Sequence, residues 1–363
     1  MANLTASRRS LLRAAGVAAL AVPAGAMAPR AAAPVSALFD PLSDPSAICR
    51  TASGATPALT APGARRQLKL TWNANAICTA GVPVAKETGI FERYNLDVEF
   101  INFGGSTDQL LEAIATGKAD GGIGMALRWL KPLEQGFDVR ITAGTHGGCM
   151  RLFTQQATAI NAVQDLRGKR IGVSDMAAPD KNFFAILARH AGIDPDRDIT
   201  WRQFPGDLLG EALKRGDVDV ISQSDPLGWI VRERDNLREV ANNLTGHYSN
   251  RVCCVVGLRG SLIRDDLAAA RALTAALLEA QHFVHDNPDR TAEIFAPYAR
   301  VPTPQLAAML RSHTHGHNPV GRQLEQELAG YIDDLKLVNV MRRNTDPARL
   351  AARIHTDVLG GAV

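Results

Sequence analysis

A chain of 363 residues is longer than one ordinary domain needs and leaves room for two. Its 46% apolar and 21% charged residues are those of a globular protein, and 40 basic against 37 acidic residues leave a net charge of +3. So small a surplus excludes the basic stripe of a nucleic-acid binder and leaves only local patches to attract an anion.

The first elements in the chain are not structural. Ser7-Arg8-Arg9-Ser10-Leu11-Leu12 has the twin-arginine pattern, the apolar stretch from Ala14 to Val22 is too short to anchor in a bilayer, and Ala26-Met27-Ala28 is a small-x-small cleavage signal. Residues 1–28 are therefore expected to be a twin-arginine export signal and the mature protein to be periplasmic. Residues 29–66, rich in Ala, Pro, Ser and Thr, are expected to be a disordered linker. An oxidising compartment permits disulfides, but five cysteines (Cys49, Cys78, Cys149, Cys253, Cys254) cannot all pair within one chain, and Cys253-Cys254 sits in an apolar run as buried filler.

From Gln67 the pattern becomes regular. Leu68 to Trp72 alternates as a strand, and residues 82–93 follow as a helix with Val82, Val84, Ala85, Ile90 and Phe91 inward. A strand over 96–103 leads through Gly104-Gly105-Ser106-Thr107 into an amphipathic helix carrying Leu110, Leu111, Ile114 and Ala115, which Gly117 can end. Strands over 119–125 and 139–143 complete a βαβαβ rhythm, which predicts a parallel sheet with helices on its faces. A second series begins near Leu166: strand 169–174, helix 179–191, strand 199–204, helix 208–214, strand 218–222 and helix 227–234. Segments 115–123 and 214–221 share one pattern of helix, glycine turn, acidic residue and buried strand, which predicts two similar lobes. One more strand over 251–258 precedes helices over 262–287, 290–296, 303–312 and 321–335.

This order of elements resembles the periplasmic solute-binding proteins for nitrate, sulfonates, taurine and bicarbonate, a superfamily that also holds binders and synthases of thiamine-pyrimidine precursors. Ala85-Lys86-Glu87-Thr88-Gly89-Ile90-Phe91, Gly104-Gly105-Ser106-Thr107-Asp108, Ala115 to Asp120, Asp165 to Val173 and Gly216-Asp217-Val218-Asp219 carry the resemblance, over roughly residues 67–300. It implies an α/β clamp of the periplasmic-binding-protein type 2, two lobes joined by two crossovers, with a helical C-terminal extension. On that pattern residues 67–153 begin lobe one, 154–248 form lobe two, and 249–363 return to lobe one and add the C-terminal helices. The resemblance also implies a monomer that serves an ABC permease and its ATPase, with no cofactor and no catalysis.

In open α/β sheets, ligands sit at the carboxyl ends of strands, where helix N-termini offer free N–H groups. Four such ends fall in the first series. Asn73, Asn75 and Cys78 follow the first strand; Gly105, Ser106 and Thr107 open the second helix; Met125 and Arg128 follow the third strand, with Trp129 a candidate cleft wall; His146 lies in the glycine-rich stretch after the next strand. Arg128 can fork onto an oxyanion, and the glycines leave the surroundings of His146 open. The second series contributes Ser174, Met176, Gln223 and Asp225, the last suiting a ligand with a cationic or hydrogen-bond-donating part. The alternative to a carrier is a desulfinase-like enzyme on the same fold, with Cys78 as nucleophile, His146 to activate it and Arg128 to hold the sulfinate. His313, His315 and His317 alternate as metal ligands can, and His282 and His285 lie three apart on one expected helix, but no cysteine or carboxylate pattern of a closed site accompanies them, and the alternating three are expected to be a polar loop.

Overall fold

The apolar runs of the sequence fold as two five-stranded sheets with helices on their faces. The computed structural model describes residues 65–103 and 107–360. The expected export signal, the expected linker up to residue 64, Cys49, Gly105 and Ser106 lie outside the described residues, and of Thr107 only the backbone is described.

The first lobe opens with β1 (Arg66–Trp72), α1 (Gly81–Glu87), α2 (Ile90–Arg93), β2 (Leu96–Asn102), α3 (Thr107–Ala115), β3 (Gly121–Met125), α4 (Ala126–Glu134) and β4 (Val139–His146). The chain then crosses to β5 (Met150–Thr154), β6 (Arg170–Val173), α5 (Pro179–His190), β7 (Thr200–Gln203), α6 (Leu209–Lys214), β8 (Val220–Ser224), α7 (Leu227–Asp235) and β9 (Arg238–Asn242), and returns as β10 (Cys254–Arg259). The sheets have the orders β2-β1-β3-β10-β4 and β7-β6-β8-β5-β9. In each, three parallel strands are followed by a strand that runs antiparallel to both its neighbours. The tail is helical: α8 (Gly260–Asp265), α9 (Leu267–Asp286), α10 (Pro288–Ala299), α11 (Thr303–Ser312), α12 (Gly321–Leu337) and α13 (Pro347–Ile354). Among the described residues, no helix is long and apolar enough to cross a membrane.

The α/β clamp expected from the sequence is thus present, with local differences that have physical causes. The helix expected over 82–93 breaks at Gly89, whose φ of +70° ends α1. The helix expected over 262–287 is two, because the Asp266 carboxylate accepts the Ala269 N–H at 2.9 Å and starts α9 afresh. α4 carries Pro132 in its interior, the residue that argues against a helix there. β5 carries Arg151, a charge inside a buried strand. Because Met150–Thr154 pairs with β8 and β9, the first crossover falls at 147–149, ahead of the expected boundary at 153.

Trp129 is fully buried over β3 and β10 instead of walling the cleft. A Cβ at Gly124 would stand 2.1 Å from its ring and one at Gly257 2.6 Å away, so the two glycines make the seat for the indole. The two crossovers touch at Gly148, where a Cβ would lie 2.6 Å from the Asn243 carbonyl oxygen. The loop between α11 and α12 ties the first crossover down. Gly147 N–H donates to Thr314 O at 3.0 Å, Gly144 N–H to Pro319 O at 2.8 Å and Asn318 Nδ2 to Thr145 O at 2.6 Å. The glycines around His146 therefore serve close packing and do not open its surroundings.

Candidate functional site

The carboxyl ends of β1, β3, β6 and β8 face one cavity of about 720 Å³ lined from both lobes. That volume is in the range of roughly 300–1,000 Å³ typical of small-molecule sites. Asn73, Asn75, Cys78, Met125 and Arg128 line it from the first lobe, and Ser174, Gln223 and Asp225 from the second. His146 and Met176 do not line it: the first is buried behind Cys78, and the second is 46% exposed. Asp175, Asp180 and Asp207 also face the cavity and were not among the sequence candidates. Their signal was present, since Asp175 and Asp207 follow strand ends and Asp180 opens α5, but acidic residues there read as turn and cap formers.

Arg128 is the cationic group at the rim. Its Nε donates to Asp108 Oδ1 at 2.6 Å, its Nη2 also reaches Asp108, and the same Nη2 donates to Asp175 Oδ2 across the cleft at 3.1 Å. Burial opposes the charge, but the two carboxylates outweigh it and hold the guanidinium protonated more firmly than usual. Nη1 of Arg128 is buried without a hydrogen-bond partner. On the facing wall Gln223 donates from Nε2 to Gly206 O at 2.9 Å, while its Oε1 is buried and unpartnered. Arg128 and Gln223 thus stand on facing walls of the cavity, each already holding part of the protein in place.

Asn73 and Asp225 are largely committed to the fold. Asn73 Oδ1 accepts the Asn75 N–H at 2.9 Å, closing the turn after β1. Asp225, read from the sequence as a ligand contact, has both oxygens occupied. Oδ2 accepts from Arg151 Nε at 2.8 Å and lies 2.7 Å from His313 Nε2, and Oδ1 accepts the Trp229 N–H at 2.8 Å. Burial pushes this carboxyl up, but His313 and Arg151 outweigh it and hold it below the ordinary range. The pair ties β5, β8 and the loop after α11 together at the hinge, so Asp225 positions the floor instead of reading a ligand. The expected polar histidine loop is mostly interior: His313 and His315 are buried, and His317 Nε2 meets Glu327 at 3.0 Å. The rings of His313 and His315 lie 5.5 Å apart, centroid to centroid.

Below the floor the thiols gather. Cys78, in the turn after β1, stands with His146 and Cys254 so that all three ligand atoms lie within 4.8 Å of one another. A hydrogen bond from Cys254 draws the Cys78 thiol down to about 6, burial works against this, and His146 adds to the lowering. Burial would depress the His146 imidazole, but contact with Cys78 raises it instead. Cys78 is thus an acidic thiol at the cavity edge with an imidazole behind it. Among the described residues the four cysteines are free and buried.

The sequence profile of the family described as NMT1/THI5 like matches residues 77–291, more than half of the chain. A relative in Brucella abortus is 24% identical over 225 residues, 61% of this chain and 68% of its own, and its name specifies no ligand beyond calling it a binding protein. Among solved structures, the periplasmic aliphatic sulphonate binding protein SsuA from Escherichia coli superposes with a TM-score of 0.67 at 17% identity, covering 78% of this chain and 91% of its own. The desulfurization enzyme DSZB superposes with a TM-score of 0.59 at 16% identity, covering 82% and 99%. At these identities the likeness is one of fold.

Proposed function

The chain belongs to the NMT1/THI5-like family, and from that premise we propose that it is the exported, periplasmic solute-binding component of an ABC importer. It captures a small organic anion, of the sulfonate or nitrate-like kind, between its lobes and presents the closed clamp to a permease and its ATPase. The observation that carries this reading is the cavity lined from both lobes, with the Arg128 guanidinium on one wall and the Gln223 amide on the other. Such a site supports binding without any chemical step. The carboxylates of Asp175 and Asp207 on the second lobe favour an anion that also carries a donor, such as an aminosulfonate: oxyanion on Arg128, amine toward the acidic wall. The twin-arginine signal at residues 1–28 supports export of the already folded monomer.

The Cys78–His146 contact favours one second reading, a cysteine-dependent desulfinase-like enzyme in which Cys78 attacks the ligand. One experiment separates the two. The purified chain is screened by thermal shift against taurine, alkanesulfonates, nitrate, bicarbonate, aromatic carboxylates and thiamine pyrimidines. A ligand at a hundred times its Kd stabilises the fold by about 2.7 kcal/mol. Recovery of an unaltered ligand after a clear shift is the expected result. A chemically altered ligand, left intact by Cys78→Ser, replaces the carrier with the enzyme.

A further inference from the structure

A group of side chains lies beneath the cavity floor, and of these only Cys78 reaches the cavity itself. His146 ends β4 and is the cross-strand partner of Cys254 in β10, so backbone pairing sets these two side by side. Cys78 reaches them from the turn after β1. All three are buried, at 4%, 0% and 0% exposure for Cys78, His146 and Cys254. Neither ring nitrogen of His146 has a hydrogen-bond partner. His315, with its ring centroid 5.4 Å from that of His146, has both ring nitrogens unpartnered as well. Buried polar groups are almost always satisfied, and a site needing only apolar filler would hold a leucine or phenylalanine here.

Two thiols and an imidazole converging in an apolar surround are the donor set of a soft or borderline cation. A tetrahedral zinc ion holds sulfur at about 2.3 Å and nitrogen at about 2.0–2.1 Å, which places its donors roughly 3.5–3.8 Å apart. Donor atoms within 4.8 Å of one another come to that spacing by small side-chain rotations. The trio contains no carboxylate, which argues against calcium or magnesium. We propose that Cys78, His146 and Cys254 form a three-ligand site for zinc or a cation of like softness, with its fourth position toward the cavity. Of the three, Cys78 alone lines that cavity, which sets the direction of the open position. On loading, each of the two thiols gives up its proton to solvent. Two thiolates then balance a divalent ion, so the buried site is neutral overall. The site stands independently of the solute-binding reading, since the metal is held whether or not a solute enters.

The test is a titration of the full, reduced chain with cobalt(II) and then zinc, after a thiol count shows its cysteines free. One equivalent of cobalt with sulfur-to-metal charge-transfer absorption is expected, displaced by zinc, with zinc raising Tm. Cys78→Ser, at the cavity edge, and Cys254→Ser should abolish the band, while Cys149→Ser should keep it. If Cys254→Ser does not fold, X-ray absorption on the zinc-loaded wild type decides, with two sulfur ligands and one imidazole expected. A fully reduced wild type that takes up no stoichiometric metal overturns the site. Metal bound without sulfur ligands, or unaffected by Cys78→Ser, overturns it equally. Where the metal titration fails, a solute that still raises Tm leaves the carrier reading standing.

Discussion

The two lobes share a scaffold and differ in what they place at its working edge. In the first, Asp120 precedes β3, and its Oδ2 accepts the Lys69 N–H at 2.8 Å while its own N–H donates to Lys69 O at 2.8 Å. In the second, Asp219 precedes β8 and makes the same pair of contacts with Arg170, again at 2.8 Å each. One device therefore registers the parallel strands in both lobes. The strand ends are not repeated. Both lobes line the cavity with amides and hydroxyls, but the first lobe adds a guanidinium and a thiol and the second adds carboxylates. Duplication supplies the clamp, and the asymmetry of its two edges supplies direction to a bound ligand.

The comparison breaks most visibly at the second lobe's buried charge. Asp225 and His313 have fully buried side chains and Arg151 is 5% exposed, so removing the carboxylate takes a buried partner from Arg151, His313 and the Trp229 N–H at once. Asp225→Ala is expected to cost about 3–5 kcal/mol in equilibrium denaturation, the scale for breaking a buried pair. A loss no larger than the roughly 0–1 kcal/mol of an exposed pair would show that the hinge does not depend on it.

Acidity sharpens the contrast within that lobe. Asp225 is held below the ordinary carboxyl range, so its contribution is present above the unfolded pKa and is lost as pH falls through the folded one. Asp180 is the reverse. Burial pushes it up, and the Ser222 hydroxyl, donating at 2.6 Å, only partly offsets this. Its contribution is present below the unfolded pKa and is lost as pH rises through the folded one. Asp180→Asn should therefore raise Tm relative to wild type at neutral pH, with the gain vanishing in acid. A gain that persists unchanged below about pH 4 would place its origin outside this carboxyl.

How much of this was legible depended on whether one segment carried the signal. The strand ends and the helix starts after them were readable, and they delivered Asn73, Asn75, Cys78, Met125, Arg128, Ser174 and Gln223 to the cavity. The acidic residue repeated before two strands was readable as well. Arg151 hid β5, because a charge in an apolar run looks like its end until Asp225 and Glu239 arrive from elsewhere in the chain. Pro132 hid α4. His146 looked open because glycines flank it, whereas the loop after α11, remote in sequence, closes over that stretch. Burial and partnership are tertiary facts, and no local pattern encodes them.

The smallest expected effect is the most informative about the ligand. Asp175 is half exposed, so loss of its cross-cleft pair with Arg128 should change stability by less than about 1 kcal/mol. Asp175→Asn keeps an oxygen for the Ala177 N–H but removes a negative charge that competes for Arg128. If Arg128 seats the ligand's oxyanion, a sulfonate should bind Asp175→Asn more tightly, by up to about tenfold, read by titration calorimetry. An aminosulfonate should gain less than a plain alkanesulfonate, because it also loses a partner for its amine. Equal or weaker binding of both would make the Arg128–Asp175 pair a strut for closure and move the anion seat elsewhere on the cavity wall.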